Sequence, residues 1–164
     1  MDRGKGRFHH RLDLPITMTI TEIKDNKKKY LDLLLLADEQ EDMIDRYLEK
    51  GTVYVLSDDG VKCQCVVTDE GNGILEIKNI ATVPEAQRKG YAKRMIGFLV
   101  EEYTGRYSVL QAGTGDSPLT IPFYEKCGFT RSHVLPNFFT DNYDHPIFEC
   151  GVLLTDMVYL QRKL

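Results

Sequence analysis

A strand that stops at Pro84 and a helix that starts at Gly90 constrain this chain more than any other feature. Only a short polar loop, residues 85–89, separates them. Pro84 has no amide to donate to a ladder and closes the strand 74–83. Gly90 opens the stretch 90–103, in which Ala92, Met95, Ile96, Leu99 and Val100 make one apolar stripe, as in an amphipathic helix. The first N–H groups of such a helix have no partner inside it, and the helix dipole places partial positive charge there. Anions bind at such ends. Gly90 carries no side chain to keep an anion away from the backbone, and Ala92 keeps the next turn nearly as open. Arg88, Lys89, Lys93 and Arg94 gather positive charge in a chain whose net charge is -4. The combination suits a pyrophosphate. It is neither a P-loop nor a dinucleotide fingerprint, because GxxxxGK[ST] and GxGxxG are both absent.

The other elements can be placed around this unit. Alternation predicts a strand over 16–20. Leucine-rich and helical spacing predict helices over 28–36 and 38–49, the second ended by Gly51 as a left-handed cap. Strands 52–56 and 61–68 flank Asp58-Asp59-Gly60, a strong hairpin signal. Gly71-Asn72-Gly73 then turns the chain into strand 74–83. Strict alternation puts Glu76, Lys78 and Ile80 on one face of that strand and Ile77, Asn79 and Ala81 on the other; a bulge would change this phase. A strand over 107–111, a short helix over 118–126 made irregular by Pro122, a strand over 128–134 and a last strand over 152–160 follow. Three consecutive antiparallel strands between helices make this α+β with a mixed sheet, not repeated βαβ.

The 164 residues are enough for one ordinary domain. Residues 1–15 read as a flexible extension or tag remnant, and residues 16–164 as the single domain. The acidic balance disfavours a dedicated nucleic-acid binder. No apolar run reaches the length needed to cross a bilayer, and the basic start has no apolar segment behind it, so neither a membrane nor a secretory route is expected. A cytoplasmic protein is the reading. Cys63, Cys65, Cys127 and Cys150 read as buried structural thiols. No metal site is expected, since His133 and His145 are not suitably spaced from the cysteines.

Two motifs together carry a family resemblance. Gln87-Arg88-Lys89-Gly90-Tyr91-Ala92 resembles the Q/R-x-x-G-x-G/A signature of the GNAT superfamily of N-acetyltransferases, and Asn79-Ile80-Ala81-Thr82-Val83-Pro84 resembles the strand before it. About 35 residues on, Phe123-Tyr124-Glu125-Lys126-Cys127-Gly128-Phe129 is similar to a later element of that family. The resemblance implies a GNAT-like, mostly antiparallel central sheet flanked by helices, with a V-shaped opening between the strands 74–83 and 107–111. It implies acetyl-CoA as cosubstrate and no metal. The pyrophosphate would lie on the backbone around Gln87, Arg88, Lys89, Gly90, Tyr91, Ala92 and Lys93. The pantetheine arm would pair with Ala81, Thr82 and Val83. Ser117 stands near the place where many members carry an Asn that contacts the coenzyme. The acceptor would be a primary amine of a small molecule or peptide, and the assembly a possible homodimer.

Amine acetylation needs a neutral amine and a proton for the departing thiolate. The resemblance makes Tyr124 the acid. Glu76, 14 residues before Gly90, matches the base position of some members; a water chain is the alternative, with Asp116, Asp144 and Glu149 as secondary candidates. No GxSxG elbow is present, which favours direct transfer over an acyl-enzyme. The segment 137–149 is aromatic, acidic and turn-rich, and resembles that of a bacterial branch of the family without a settled substrate. Aromatic faces and carboxylates suit a cationic amine; a loop that plugs a core is the plainer reading. The rival function is a non-catalytic coenzyme A-binding sensor.

Overall fold

The structure, a computed structural model, describes residues 17–164. The expected extension over residues 1–15 lies outside the described residues. A seven-stranded sheet runs in the order β1-β2-β3-β4-β5-β9-β6. Its strands are β1 (Met18–Ile23), β2 (Thr52–Asp58), β3 (Val61–Gly71), β4 (Ile74–Thr82), β5 (Val109–Gly115), β6 (Thr130–Leu135) and β9 (Met157–Lys163). Every neighbouring pair is antiparallel except β4 and β5. β7 (Phe148–Glu149) and β8 (Val152–Leu153) form a small separate hairpin. Helices α1 (Leu31–Ala37) and α2 (Glu41–Asp45) pack on one face of the large sheet, and α3 (Tyr91–Tyr103) and α4 (Thr120–Lys126) on the other. A further short helix, α5 (Phe138–Asn142), precedes β7. Among the described residues no helix is long and apolar enough to cross a membrane.

The larger core lies under α3 and α4. Met95, Ile96 and Leu99 of α3 meet Leu56, Cys63, Cys65, Leu75, Ile77, Leu110 and Leu160 of the sheet. The helix thus buries the stripe that its spacing predicts. On the opposite face Leu34, Ile44 and Leu48 cover Val53 and Val66.

A bulge sets the phase of β4. Asn79 lies opposite Val66, yet Ile77 lies opposite Val67, so Lys78 has no partner on β3. The extra residue shifts the alternation. Glu76 therefore shares a face with Asn79 and Ala81, while Ile77 and Ile80 face the α3 core, which corrects the partition expected from strict alternation.

Gly51 is not a left-handed cap. It is absent from the glycines with positive φ. Lys27 replaces that cap: its ammonium donates to the carbonyls of Leu48, Glu49 and Gly51 at 3.2, 2.9 and 2.7 Å. A lysine can satisfy the last carbonyls of a helix in this way. Gly51 is small for a different reason, because a Cβ there would stand 2.6 Å from Val66 Cγ1 and 2.8 Å from the Tyr47 carbonyl. The helix expected over 38–49 is also shorter, ending at Asp45 and continuing as turns. The hairpin at Asp59 and Gly60 is as expected, with φ of 53° and 101°, both positive as its tight turn requires.

Because the Tyr47 carbonyl cannot yield, Gly51→Ala is expected to destabilise the fold by about 2 kcal/mol, within the range for overpacking. Urea unfolding with an unchanged slope and a lower midpoint would show it; an unchanged midpoint would contradict the close approach.

Candidate active site

The site begins where two strands part. The ladder between β4 and β5 ends at Ile77↔Ala112. Beyond it, β4 continues to Thr82 on β3, and β5 continues to Gly115 on β9. The V-shaped opening expected from the resemblance is therefore present, although β5 lies at 109–115 and not at 107–111. Gly113 and Gly115 hid the far half of the strand in the sequence. Each is closely approached by side chains: a Cβ at Gly113 would lie 2.9 Å from Met157 Sδ, and one at Gly115 2.5 Å from Leu154 Cδ1.

On the β4 side, the chain turns through Pro84–Ala86 and enters α3. The buried Ala86 anchors this turn, with its amide on the Val83 carbonyl at 2.9 Å. Gln87 donates its side-chain amide to the Thr82 carbonyl at 3.2 Å, tying the loop to the strand end. Arg88 and Gly90 both adopt left-handed conformations, with φ of 63° and 86°. Such a turn aims successive N–H groups into one concavity. Gly90 is the N-cap of a helix of 13 residues, no side chain caps it, and the first turn holds no acidic residue. A Cβ at Gly90 would meet nothing within 4 Å, so this backbone faces open space. Arg88, Lys89, Lys93 and Arg94 are exposed around it. Tyr91 has a separate duty. Its hydroxyl donates to Asp58 at 2.7 Å and braces α3 against the β2–β3 turn; with a second bond from Thr17, this holds the Asp58 carboxyl below its usual value.

Tyr124 lies on α4 with 6 % of its surface exposed. Its ring sits edge-on to Phe123 and Phe129 at 5.2 and 5.3 Å. Burial pushes the phenol pKa up, and the thiols of Cys65 and Cys127 and the charges of Glu149 and Glu76 add to this. The phenol thus keeps its proton.

Glu76 is 5 % exposed and sits one pair before the strands part. Gln111 donates to its Oε1 at 2.5 Å, and Lys78 pairs with its Oε2 at 2.6 Å. Gln161 in turn donates to Gln111 at 2.7 Å, so a polar chain crosses from β9 to β4. Ser117, 2 % exposed, has internal partners: its oxygen accepts the Leu119 amide at 3.1 Å, and its hydroxyl bonds the Glu149 carboxylate.

Sequence reasoning missed a second buried network. Tyr47 and Tyr143 donate to the two oxygens of Asp38 at 3.0 and 2.6 Å. Asn79 of β4 donates to the Tyr47 hydroxyl and the Leu34 carbonyl, both at 3.0 Å, and accepts from Gln64. Burial raises the Asp38 carboxyl above its ordinary value against these bonds. Asp144 and Asn142 reach the α1–α2 corner through Gln40 and Arg46. The segment after β6 is thereby strapped to α1 and α2. Its aromatics form their own small cluster, with Phe139, Ile147 and Leu154 buried, and Asp141 and Asp144 remain exposed. No local pattern marks Asp38, Tyr47 and Tyr143 as partners, since 96 residues separate the last two.

The model of the acetyltransferase (GNAT) domain matches residues 49–131. The N-acetyltransferase YvbK of Bacillus subtilis is 34% identical over 144 residues, covering 86% of this chain and 93% of that protein. A GNAT family acetyltransferase from Elizabethkingia anophelis, solved with acetyl-CoA bound, superposes with a TM-score of 0.85 at 32% identity, covering 92% of this chain and 100% of that one. An IAA acetyltransferase from Bacillus cereus superposes with a TM-score of 0.83 at 34% identity, covering 90% and 99%. The chain belongs to the GNAT acetyltransferase family. By class it is an acetyl-CoA-dependent acetyltransferase.

Gly90→Ala is expected to weaken coenzyme A binding roughly tenfold, equivalent to about 1.4 kcal/mol, because the methyl group would enter the space above the helix amides. Calorimetric titration with coenzyme A checks this; an unchanged dissociation constant would remove the Arg88–Gly90 turn from the phosphate site.

Proposed function

We propose that this protein transfers the acetyl group of acetyl-CoA directly to a primary amine of a small molecule or peptide, with Tyr124 as the general acid. The observation that carries this reading is a buried, protonated phenol on α4 beside an opening whose other wall ends in an uncapped helix start. The pyrophosphate rests on the amides from Arg88 to Lys93. The Gln87 side chain holds the Thr82 carbonyl, and Tyr91 fixes the helix start. The pantetheine arm runs along Ala81, Thr82 and Val83, where β4 has lost its β5 partner. That line leads the thioester to the apex of the opening.

The amine nitrogen attacks the thioester carbonyl there. As the C–S bond breaks, Tyr124 gives its proton to sulfur, and the phenolate is refilled from the amine nitrogen directly or through water. Glu76 has both carboxylate oxygens occupied, so in this reading it holds Lys78 and Gln111 at the apex and does not itself take the proton. The acceptor enters from the α1–α2 side, walled by the strap that Tyr143 and Asp38 fasten. Ser117 shapes the turn between β5 and α4. We place the reaction in the cytoplasm, where thiols such as Cys63 and Cys65 stay reduced; recovery of the chain outside that compartment would oppose this. A homodimer is the proposed assembly, with Val134 and Leu135 exposed on the edge strand β6; a monomer mass by light scattering would reject it.

Tyr124→Phe is expected to lower kcat about 100-fold, the lower end of the range for general acid–base catalysis, while leaving coenzyme A affinity unchanged. Thiol release from acetyl-CoA with a panel of primary amines measures the first and calorimetry the second. Binding without transfer to any amine in the wild-type protein would favour a coenzyme A sensor instead.

A further inference from the structure

The β7–β8 hairpin is fastened at the mouth of the opening. Leu154, the residue after β8, packs on Gly115, the last residue of β5. Two residues beyond Gly115, the buried Ser117 hydroxyl bonds the carboxylate of Glu149 on β7. Since Ser117 oxygen also accepts the Leu119 amide, its one proton is directed at Glu149. The same turn leads into α4, and the Glu149 charge is felt at the Tyr124 phenol. Glu149 is thus half-buried at the turn that leads into the helix of the proposed acid. Among the described residues no Lys, Arg or His forms an ion pair with it. Glu76 differs on both counts, because Lys78 balances its charge and Gln111 occupies its other oxygen.

We infer that Glu149, and not Glu76, is the general base that takes the proton from the acceptor ammonium. The inference rests on the acetyl-transfer reading above. An ammonium entering the mouth meets an unbalanced carboxylate. Glu149 accepts one proton, leaving a neutral amine whose lone pair attacks the thioester carbon. The nitrogen's next proton replaces the one that Tyr124 gives to sulfur, and Glu149 later releases its own to solvent. One amide forms, one thioester breaks, and one proton is released overall. Ser117 is a positioning residue in this scheme, since it fixes one side of the carboxylate and leaves the other free. Burial raises the Glu149 carboxyl above its ordinary value, with the Ser117 bond opposing, and so brings it nearer to an amine in proton affinity. The other titratable groups that bear on the Tyr124 phenol at this mouth include Glu76, with its partner Lys78, on β4.

The test follows thiol release by the full chain with two probes: a mixture of spermidine, butylamine and benzylamine, which are protonated near neutral pH, and hydroxylamine, which is largely not. Glu149→Gln is expected to lower kcat/KM for the alkylamines near neutral pH about 100-fold or more, and what remains should rise with pH as the free amine does. Hydroxylamine turnover and the KM for acetyl-CoA should stay at wild-type values, and Glu149→Asp should restore part of the alkylamine rate. Equal losses with both probes, or an alkylamine-specific loss in Glu76→Gln with none in Glu149→Gln, would overturn the assignment. A wild-type protein that turns over hydroxylamine and no alkylamine also counts against it. A wild-type protein that releases thiol with neither probe defeats the acetyl-transfer reading itself, and the base with it.

Discussion

The parallel ladder between β4 and β5 runs from Ile74↔Val109 to Ile77↔Ala112 and no further. Each strand keeps its other neighbour past that point, so the backbone on the far sides stays satisfied while the facing sides open. Buried amides and carbonyls without partners are rare in folded proteins. An opening of this kind is therefore expected to take a ligand that can pair as a strand does, and a pantetheine arm with its two amides is such a ligand. The bulge at Lys78 adds to the effect. It increases local twist, and it turns Glu76 and Asn79 to the same face.

That face is polar where a sheet of this size would normally be apolar. Glu76, Gln111 and Gln161 form one chain, and Gln64, Asn79, Tyr47, Asp38 and Tyr143 form another. Buried polar groups destabilise unless they are bonded, and a bonded network fixes its members relative to one another. Here the second network joins β3, β4, the α1–α2 corner and the strap after β6. Those are the elements around the proposed acceptor side of the opening. The stability of the strap and the shape of the proposed acceptor site are in this way one property, because Tyr143 cannot leave Asp38 without exposing a carboxylate that also anchors Tyr47.

Features fixed by neighbours in sequence were legible in advance. The uncapped helix start needed only Pro84, Gly90, the small Ala92 and the clustered basic residues. The β2–β3 turn needed only Asp59 and Gly60. Features fixed by distant partners were not legible. Gly51 read as a cap because nothing local shows that Lys27 will cap the same carbonyls or that Val66 will stand against its Cα. Strand β5 was placed short because Gly113 and Gly115 look like a loop until Met157 and Leu154 arrive beside them. The family resemblance singled out Tyr124 and Glu76 by position. It said nothing of Lys78 and Gln111 occupying Glu76, or of Ser117 turning towards Glu149, because those contacts depend on a bulge and on a hairpin more than 30 residues downstream.

The cysteines bear on whether the acetyl group stops on the protein before it reaches the amine. Cys63, Cys65 and Cys127 are buried as expected, whereas Cys150, expected buried with them, is exposed in the turn between β7 and β8; Cys65 and Cys127 bear on Tyr124. A thiol attacks a thioester as its thiolate. Burial pushes the Cys63 thiol up to about 11 and Cys65 well above its ordinary value. Burial also raises Cys127, against the opposing charges of Lys93 and Arg162. All three therefore stay protonated near neutral pH and pack as small apolar groups. Raising the proton affinity of Tyr124 and silencing these thiols have the same cause, a dry core beneath α4. The burial that keeps a proton on the proposed acid also disfavours an acyl-cysteine, and so supports the proposed direct transfer to an amine.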